Sequence, residues 1–234
     1  MYHGLLRNSL VCILPAGITV GVIAGLCTVH LGLDAAYLAK TVAVFVTVAA
    51  VVLFGLPRHH PFASFGAANQ VTLVRGVLVA LLAGLIGERS DTGAPLLAVL
   101  LATTVAVLDG VDGWLARRTG MTSDFGARFD MEMDAALILV LAVLAWLFGK
   151  VGIWVLFGGL LRYAFVGAGR VLPWLRNPLP PNARRRVSAV VQMVALIVTL
   201  APVVPIAAVS LSFLLDIVWL SQNASQVRAT VSSQ

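Results

Sequence analysis

Long apolar stretches constrain the fold of this chain more than any other feature. A helix that crosses a bilayer needs about 20 mostly apolar residues, and a backbone inside lipid must satisfy its own hydrogen bonds. The sequence therefore predicts transmembrane α-helices. Eight spans are predicted, at residues 9–29, 35–56, 70–87, 94–115, 130–148, 151–169, 187–202 and 203–221. The Pro202–Pro205 region between the last two also allows one long broken helix.

The composition excludes the other broad protein classes. Of the 234 residues, 60% are hydrophobic and only 11% are charged, whereas a soluble domain carries about 25% charged residues. A chain with so little charge cannot build a water-facing surface, and disorder requires the opposite composition. We therefore expect an all-α, polytopic integral membrane protein.

A polar segment around Pro57–Ala68, with Pro, Gly and small residues, marks an internal boundary. The predicted organisation is two N-terminal transmembrane helices with a cytoplasmic loop over residues 1–66, a six-helix core over 67–223, and a polar tail over 224–234. The sequence shows no internal repeat, which argues against an inverted-repeat transporter fold.

The basic residues predict the orientation of the chain in the membrane. The net charge is +6, and most arginines fall in the N-terminal segment, loops 57–69, 116–129 and 170–186, and the C-terminal tail. Because cytoplasmic loops are enriched in Lys and Arg, these segments are predicted to face the cytoplasm, in a bacterial inner membrane. The basic residues are not interleaved with aromatic residues as in single-strand binding proteins, so no nucleic-acid partner is expected.

Six of the ten acidic residues lie in one window, DGVDGWLARRTGMTSDFGARFDMEMD, at residues 109–134. Asp109 and Asp112 have i,i+3 spacing at the end of one predicted helix, and Asp130 and Asp134 have i,i+4 spacing at the start of the next. Each pair lies on one helical face, and the connecting loop lets both pairs meet. Oxygen ligands of this kind suit Mg²⁺ or Mn²⁺, while the lack of His and Cys argues against zinc.

Pairing with neighbouring arginines in a cytoplasmic loop is an alternative explanation for these acids. It accounts for Asp124 and, less well, for Glu132. It does not account for Asp130 and Asp134, because the apolar stretch that follows them draws them toward the bilayer. Ionisable residues at membrane depth are costly and usually functional.

The window resembles the signature of the CDP-alcohol phosphotransferase family, D-x2-D-G-x2-A-R-x8-G-x3-D-x3-D. All eight fixed positions match, at Asp109, Asp112, Gly113, Ala116, Arg117, Gly126, Asp130 and Asp134. A second element, Asn69, Thr72 and Arg75, is similar to the N-x2-T-x2-R stretch that often opens the first core helix of this family. The resemblance covers residues 67–221.

The resemblance implies a homodimeric enzyme that transfers a substituted phosphate from a CDP-linked lipid to a second alcohol and releases CMP. It implies two divalent ions, Mg²⁺ or Mn²⁺, held by Asp109, Asp112, Asp130 and Asp134. Asp134 would also be the catalytic base. The expected contacts to the CDP-alcohol are Asn69, Thr72, Arg75, Gly113, Arg117, Ser123 and Gly126.

The acceptor alcohol is less defined. Glycerol 3-phosphate is the leading candidate, with inositol or its phosphate, another polyol and phosphatidylglycerol as alternatives. Phosphatidylglycerophosphate synthases commonly carry Pro and Lys around the last two acids, and both are absent here. Either an acceptor-phosphate pocket or positive-inside loop charge explains Arg184, Arg185 and Arg186. Arg118 and Arg128, which flank the acidic window, are further candidates for acceptor binding. Arg162 lies within a predicted span, where snorkelling or pairing with an acid is the alternative to a substrate role. A cation- or proton-coupled transporter that uses intramembrane acids is the alternative from another class.

Overall fold

The computed structural model describes residues 2–59, 64–89, 91–119, 123–171 and 183–201. These residues form seven α-helices and no strand, as the apolar stretches predict. The helices are α1 (Tyr2–Leu31), α2 (Ala36–His59), α3 (Ala67–Gly84), α4 (Ala94–Thr119), α5 (Asp124–Leu147), α6 (Val155–Val171) and α7 (Ala183–Leu200).

Four of these helices are long and apolar enough to cross a membrane. Their spanning segments are Leu5–Leu31, Ala36–Leu56, Ala67–Gly84 and Ala94–Thr119. The first seven predicted spans each coincide with a helix, and the eighth, at 203–221, lies outside the described residues. A polytopic helical membrane protein is thus supported, whereas the count of eight spans stays a prediction.

The helices around the acidic window extend further than the apolar stretches that predict them. α4 continues to Thr119, four residues beyond the predicted end, and α5 begins at Asp124, six residues before the predicted start. Ser123 starts α5 from an extended conformation, and its Oγ accepts a hydrogen bond from the Gly126 amide at 3.0 Å. All four aspartates therefore lie well inside regular helix, which fixes their spacing.

α3 is the central helix of the described part. In the apolar segment of α3 that is long enough to cross a membrane, 67% of the residues are buried, compared with 17% to 22% in the corresponding segments of α1, α2 and α4. It packs against α1, α2, α4 and α5. The buried side chains of α3 therefore face neighbouring helices. The side chain of Arg75, the sole charged residue of this helix, is among these buried side chains.

The two N-terminal helices pack directly on the core. The Tyr37 hydroxyl donates to the Leu81 carbonyl at 3.1 Å, and Lys40 Nζ lies 3.0 Å from Glu88 Oε1. A Cβ atom at Gly84 would lie only 2.1 Å from Thr41 Oγ1, so α2 and α3 cross where no larger residue fits. The division between residues 1–66 and 67–223 remains a prediction, and the packing shows that the two parts share one core.

Candidate active site

Two helices bring the four predicted aspartates together. Asp109 and Asp112 project from α4, and Asp130 and Asp134 project from α5. One ligand oxygen each of Asp109, Asp112 and Asp130 lies within 4.8 Å of the others. The Asp112 side chain is 3% exposed, while those of Asp109, Asp130 and Asp134 are 34%, 40% and 35% exposed. The cluster is therefore buried at Asp112 and open on the side of the other three residues.

Arg75 of α3 lies against this cluster, and its side chain is completely buried. Its guanidinium pairs with all four aspartates, at 2.9 Å from Asp109 Oδ1 and 2.7 Å from Asp112 Oδ2, and with Asp130 Oδ1 and Asp134 Oδ1 as well. Four converging carboxylates repel one another, and a buried guanidinium is costly without partners. Each group thus compensates the other, although Arg75 Nε is buried and has no hydrogen-bond partner among the described residues.

Thr72 and Asn69 line the same face of α3, one and two turns before Arg75. Thr72 Oγ1 lies 3.0 Å from Asp112 Oδ2 and 3.1 Å from the Ala68 carbonyl oxygen. Asn69 Nδ2 donates to the Phe65 carbonyl at 2.6 Å. Asn, Thr and Arg at three-residue intervals therefore share one helix face that is directed at the acidic helices.

Gly126 allows α5 to approach this face of α3. A Cβ atom at position 126 would lie 2.9 Å from Asn69 Oδ1 and 3.3 Å from Ser123 Oγ. Asn69, Ser123 and Gly126, three of the residues predicted to contact the CDP-alcohol, are therefore neighbours at the start of α5.

The arginines after the first acid pair lie at the end of α4. Arg117 and Arg118 are exposed, and the Arg118 guanidinium carbon lies 4.9 Å from the centre of the Trp114 ring. A Cβ atom at Gly113 would be 3.4 Å from Arg117 Nη1. Gly113 directly follows Asp112, and the Arg117 guanidinium lies next to it from the following turn of α4.

The remaining predicted arginines are only partly described. Arg128 is exposed on α5. Arg162 lies within α6, and Arg184, Arg185 and Arg186 lie in the first turn of α7. The side chains of these last four residues are outside the described part of the structure, so their contribution to an acceptor pocket stays a prediction.

The family model described as CDP-alcohol phosphatidyltransferase matches residues 65–220. The chain belongs to this family. The match includes every helix that contributes a residue to the acidic cluster and its partners, and the resemblance of the motif to this family is confirmed.

Two curated relatives are similar to this member of the family. Both are named "Probable phosphatidylglycerophosphate synthase", from Mycobacterium tuberculosis strains CDC 1551 / Oshkosh and ATCC 25618 / H37Rv. Each is 32% identical over 131 residues, which cover 55% of this chain and 63% of the relative. The chain thus spans somewhat less than two thirds of the relatives it matches. No solved structure gives a significant match.

The donor set of this family member suits a divalent cation. Asp109, Asp112 and Asp130 offer only carboxylate oxygens within one small volume, which are the ligands that Mg²⁺ and Mn²⁺ prefer. The cluster can therefore hold a metal ion, with the more exposed side of the carboxylates as the direction of entry.

The sequence analysis missed the pairing of Arg75 with the aspartates. Arg75 was predicted as a nucleotide contact from its place in the N-x2-T-x2-R stretch, and that role remains a prediction. A signal for the pairing was present, because a single arginine in the middle of an apolar helix requires an acidic partner at membrane depth. The acidic window holds the largest supply of such partners in the chain.

Proposed function

We propose that this chain transfers a phosphatidyl group from CDP-diacylglycerol to the hydroxyl group of a small alcohol and releases CMP. The convergence of Asp109, Asp112 and Asp130 within 4.8 Å, inside the region matched by the family, carries this proposal. The substrates are one membrane lipid and one water-soluble alcohol, which suits a cluster that is buried on one side and open on the other.

Asp109, Asp112, Asp130 and Asp134 hold two divalent ions, Mg²⁺ or Mn²⁺, in this proposal. When bound, such ions neutralise the diphosphate and stabilise the charge that develops on the departing CMP. Asp112 is the most buried of the four side chains, and its Oδ2 is paired with both Thr72 and Arg75. Its position is therefore the most restricted, and it anchors the set.

Asp134 is the proposed general base. It lies one turn after Asp130 on α5 and belongs to the same carboxylate group through Arg75. As the acceptor oxygen attacks phosphorus, Asp134 takes the hydroxyl proton. A new phosphorus–oxygen bond to the acceptor forms, and the bond to the CMP phosphate breaks with its electron pair leaving on CMP.

The CDP group binds, in this proposal, between the start of α5, the face of α3 and the end of α4. Arg117 offers a fork of donors that fits a phosphate, and glycines at positions 113 and 126 let the ligand or a neighbouring helix come close. The proposed contacts are Asn69, Thr72, Arg75, Gly113, Arg117, Ser123 and Gly126.

Glycerol 3-phosphate is the proposed acceptor. The printed names of the two relatives support it, and an acceptor that carries a phosphate needs cationic partners near the site. The candidate partners are Arg118, Arg128, Arg162, Arg184, Arg185 and Arg186. Inositol or its phosphate, another polyol and phosphatidylglycerol are the alternatives that the experiment must include.

The proposed setting is a homodimer in a bacterial inner membrane, with the site on the cytoplasmic side. The arginine-rich loops support this orientation, and the homodimer follows from the family resemblance alone. Mass measurement of the purified protein in detergent tests the dimer, and a monomer at all concentrations would contradict it.

The decisive experiment measures CMP release by the purified protein with CDP-diacylglycerol and a panel of alcohols. We expect release that requires Mg²⁺ or Mn²⁺, is fastest with glycerol 3-phosphate, and yields the matching phospholipid by mass. Asp134→Asn keeps the size of the side chain and removes the base, so it should abolish release. Asp124→Asn, an exposed acid in the same window, is the matched control and should remain active.

The CMP-release assay also distinguishes the proposed enzyme from the alternative hypothesis of a transporter. A cation- or proton-coupled transporter predicts ion flux in vesicles without CMP release. Failure to release CMP with every alcohol, in the presence of either metal, would overturn the proposed function.

A further inference from the structure

We propose that Arg75 is a positioning residue, an internal counterion that aligns the four aspartates before a metal ion binds and weakens the binding of that ion. The proposal rests on the proposed function, since it concerns the residues assigned there as metal ligands. It starts from one observation: a single, completely buried guanidinium contacts all four carboxylates.

The guanidinium connects the two acidic helices in a regular way. Its Nη1 contacts Asp112 of α4 and Asp130 of α5, and its Nη2 contacts Asp109 of α4 and Asp134 of α5. Each terminal nitrogen thus bridges one residue of each helix. Because the guanidinium is planar and rigid, each nitrogen holds one acid of α4 beside one acid of α5, and the fixed separation of the two nitrogens spaces Asp112 and Asp130 from Asp109 and Asp134.

These contacts use one oxygen of each carboxylate: Oδ1 of Asp109, Asp130 and Asp134, and Oδ2 of Asp112. We assign the second oxygen of each carboxylate to the metal ion. The Arg75 side chain is completely buried, whereas the side chains of three of the four aspartates are more than a third exposed. The guanidinium therefore lies on the buried side of the cluster and an ion can reach the carboxylates from the other side.

The charges give this arrangement two opposite effects. Four carboxylates and one guanidinium carry a formal charge of −3 instead of −4, so Arg75 reduces the repulsion between the carboxylates when no ion is present. The same positive charge repels an arriving cation. Removal of Arg75 should consequently destabilise the ion-free protein and strengthen ion binding, a combination that a purely structural residue does not produce.

The test compares Mn²⁺ affinity, thermal unfolding and CMP release among three variants in detergent. Arg75→Met removes the charge and keeps an apolar side chain of similar reach. We expect a lower unfolding midpoint without metal, an affinity for Mn²⁺ that is higher by about tenfold, and slow CMP release at saturating Mn²⁺, since the carboxylates are no longer aligned.

Arg75→Lys separates charge from alignment. It keeps the positive charge, so Mn²⁺ affinity should return to the wild-type value. A lysine cannot bridge both pairs with two fixed nitrogens, so CMP release should stay slow. Lys40→Met is the matched control, because it breaks another partly buried ion pair, with Glu88, away from the aspartates. It should lower the unfolding midpoint and leave Mn²⁺ affinity unchanged.

Three outcomes would overturn the proposal. The first is an affinity for Mn²⁺ in Arg75→Met that equals or falls below that of the wild type. The second, which applies even if Arg75→Met does not fold, is normal CMP release by Arg75→Lys. The third is absence of Mn²⁺ binding to the wild type, and this one alone would overturn the metal site of the proposed function as well.

Discussion

At Gly126, α5 lies so close to the Asn69 side chain that a methyl group does not fit between them. A Cβ atom there would lie 2.9 Å from Asn69 Oδ1, and Asn69 cannot easily move because it is 5% exposed and bonded to the Phe65 carbonyl. We expect Gly126→Ala to push α5 away from α3 and to weaken binding of the CDP-lipid. The apparent KM for CDP-diacylglycerol and the unfolding midpoint measure the two effects.

Gly110 provides the control for this substitution. It lies on α4 beside Asp109, and a Cβ atom at position 110 would have no atom of the described residues within 4 Å. Gly110→Ala should leave the KM unchanged, and alanine in a helix interior is favoured over glycine. Equal KM values for Gly126→Ala and the wild type would contradict the close contact at Asn69.

Substitution of Thr72 tests whether its hydroxyl helps to hold the Asp112 carboxylate in place. Its hydroxyl lies 3.0 Å from Asp112 Oδ2, and a hydrogen bond to a charged group contributes about 1.5–3 kcal/mol. Thr72→Val keeps the shape and removes the hydroxyl, so it should lower the unfolding midpoint and slow CMP release. Thr72→Ser, which keeps the hydroxyl, should retain most of the activity. Wild-type behaviour of Thr72→Val would show that Arg75 alone holds Asp112.

The convergence of the four aspartates could be predicted from the sequence, whereas their pairing with Arg75 could not. The i,i+3 and i,i+4 spacings predicted that Asp109, Asp112, Asp130 and Asp134 share faces and meet, because helical geometry fixes such positions. The partner of the cluster could not be derived in the same way. Arg75 lies more than 30 residues earlier in the chain, and its contact depends on how α3 packs between α4 and α5.

At the scale of elements, α1 reaches the site through a short series of contacts. Asn8 Oδ1 accepts a hydrogen bond from the Phe65 amide at 2.9 Å, Phe65 is fully buried, and the Phe65 carbonyl accepts from Asn69. Asn8→Ala should therefore loosen the start of α3 and raise the KM for CDP-diacylglycerol more than it lowers kcat, because Asn69 is a proposed substrate contact and not a base.

Two controls keep this prediction specific. Asn8→Asp retains an acceptor oxygen and should behave almost as the wild type. Thr28→Ala removes a hydroxyl of α1 that donates to the Ala24 carbonyl of its own helix, and it should not affect the KM. A KM for Asn8→Ala equal to that of Thr28→Ala would show that α1 does not influence the site.

The apolar stretches predicted the positions of the helices better than their ends. Apolar length identifies the part of a helix that lies in lipid, so all seven described helices coincide with predicted spans. Capping and short polar extensions determine where the helix ends, as with Ser123 at the start of α5. Such features contribute little hydropathy, and the ends of α4 and α5 were therefore misplaced by several residues.

At the scale of the whole molecule, the connectivity links the acidic cluster to one side of the membrane. In sequence, the connection between α4 and α5 is flanked by Arg117, Arg118 and Arg128, whereas the α3–α4 loop at residues 85–93 lies at the other end of α4. The proposed orientation places the first loop in the cytoplasm and the second outside. Because α3 carries Arg75 and α4 and α5 carry the aspartates, the orientation of these three helices decides which side supplies the alcohol.

Labelling from one side of the membrane tests this orientation directly. In a background with Cys12 and Cys27 replaced by alanine, Asp91→Cys and Asp124→Cys place a thiol at an exposed position on each side. A membrane-impermeant maleimide should label Asp91→Cys in intact spheroplasts of a bacterial host, and Asp124→Cys only after permeabilisation. The reverse pattern would place the aspartates on the outer side, where a water-soluble phosphorylated acceptor from the cytoplasm could not reach them.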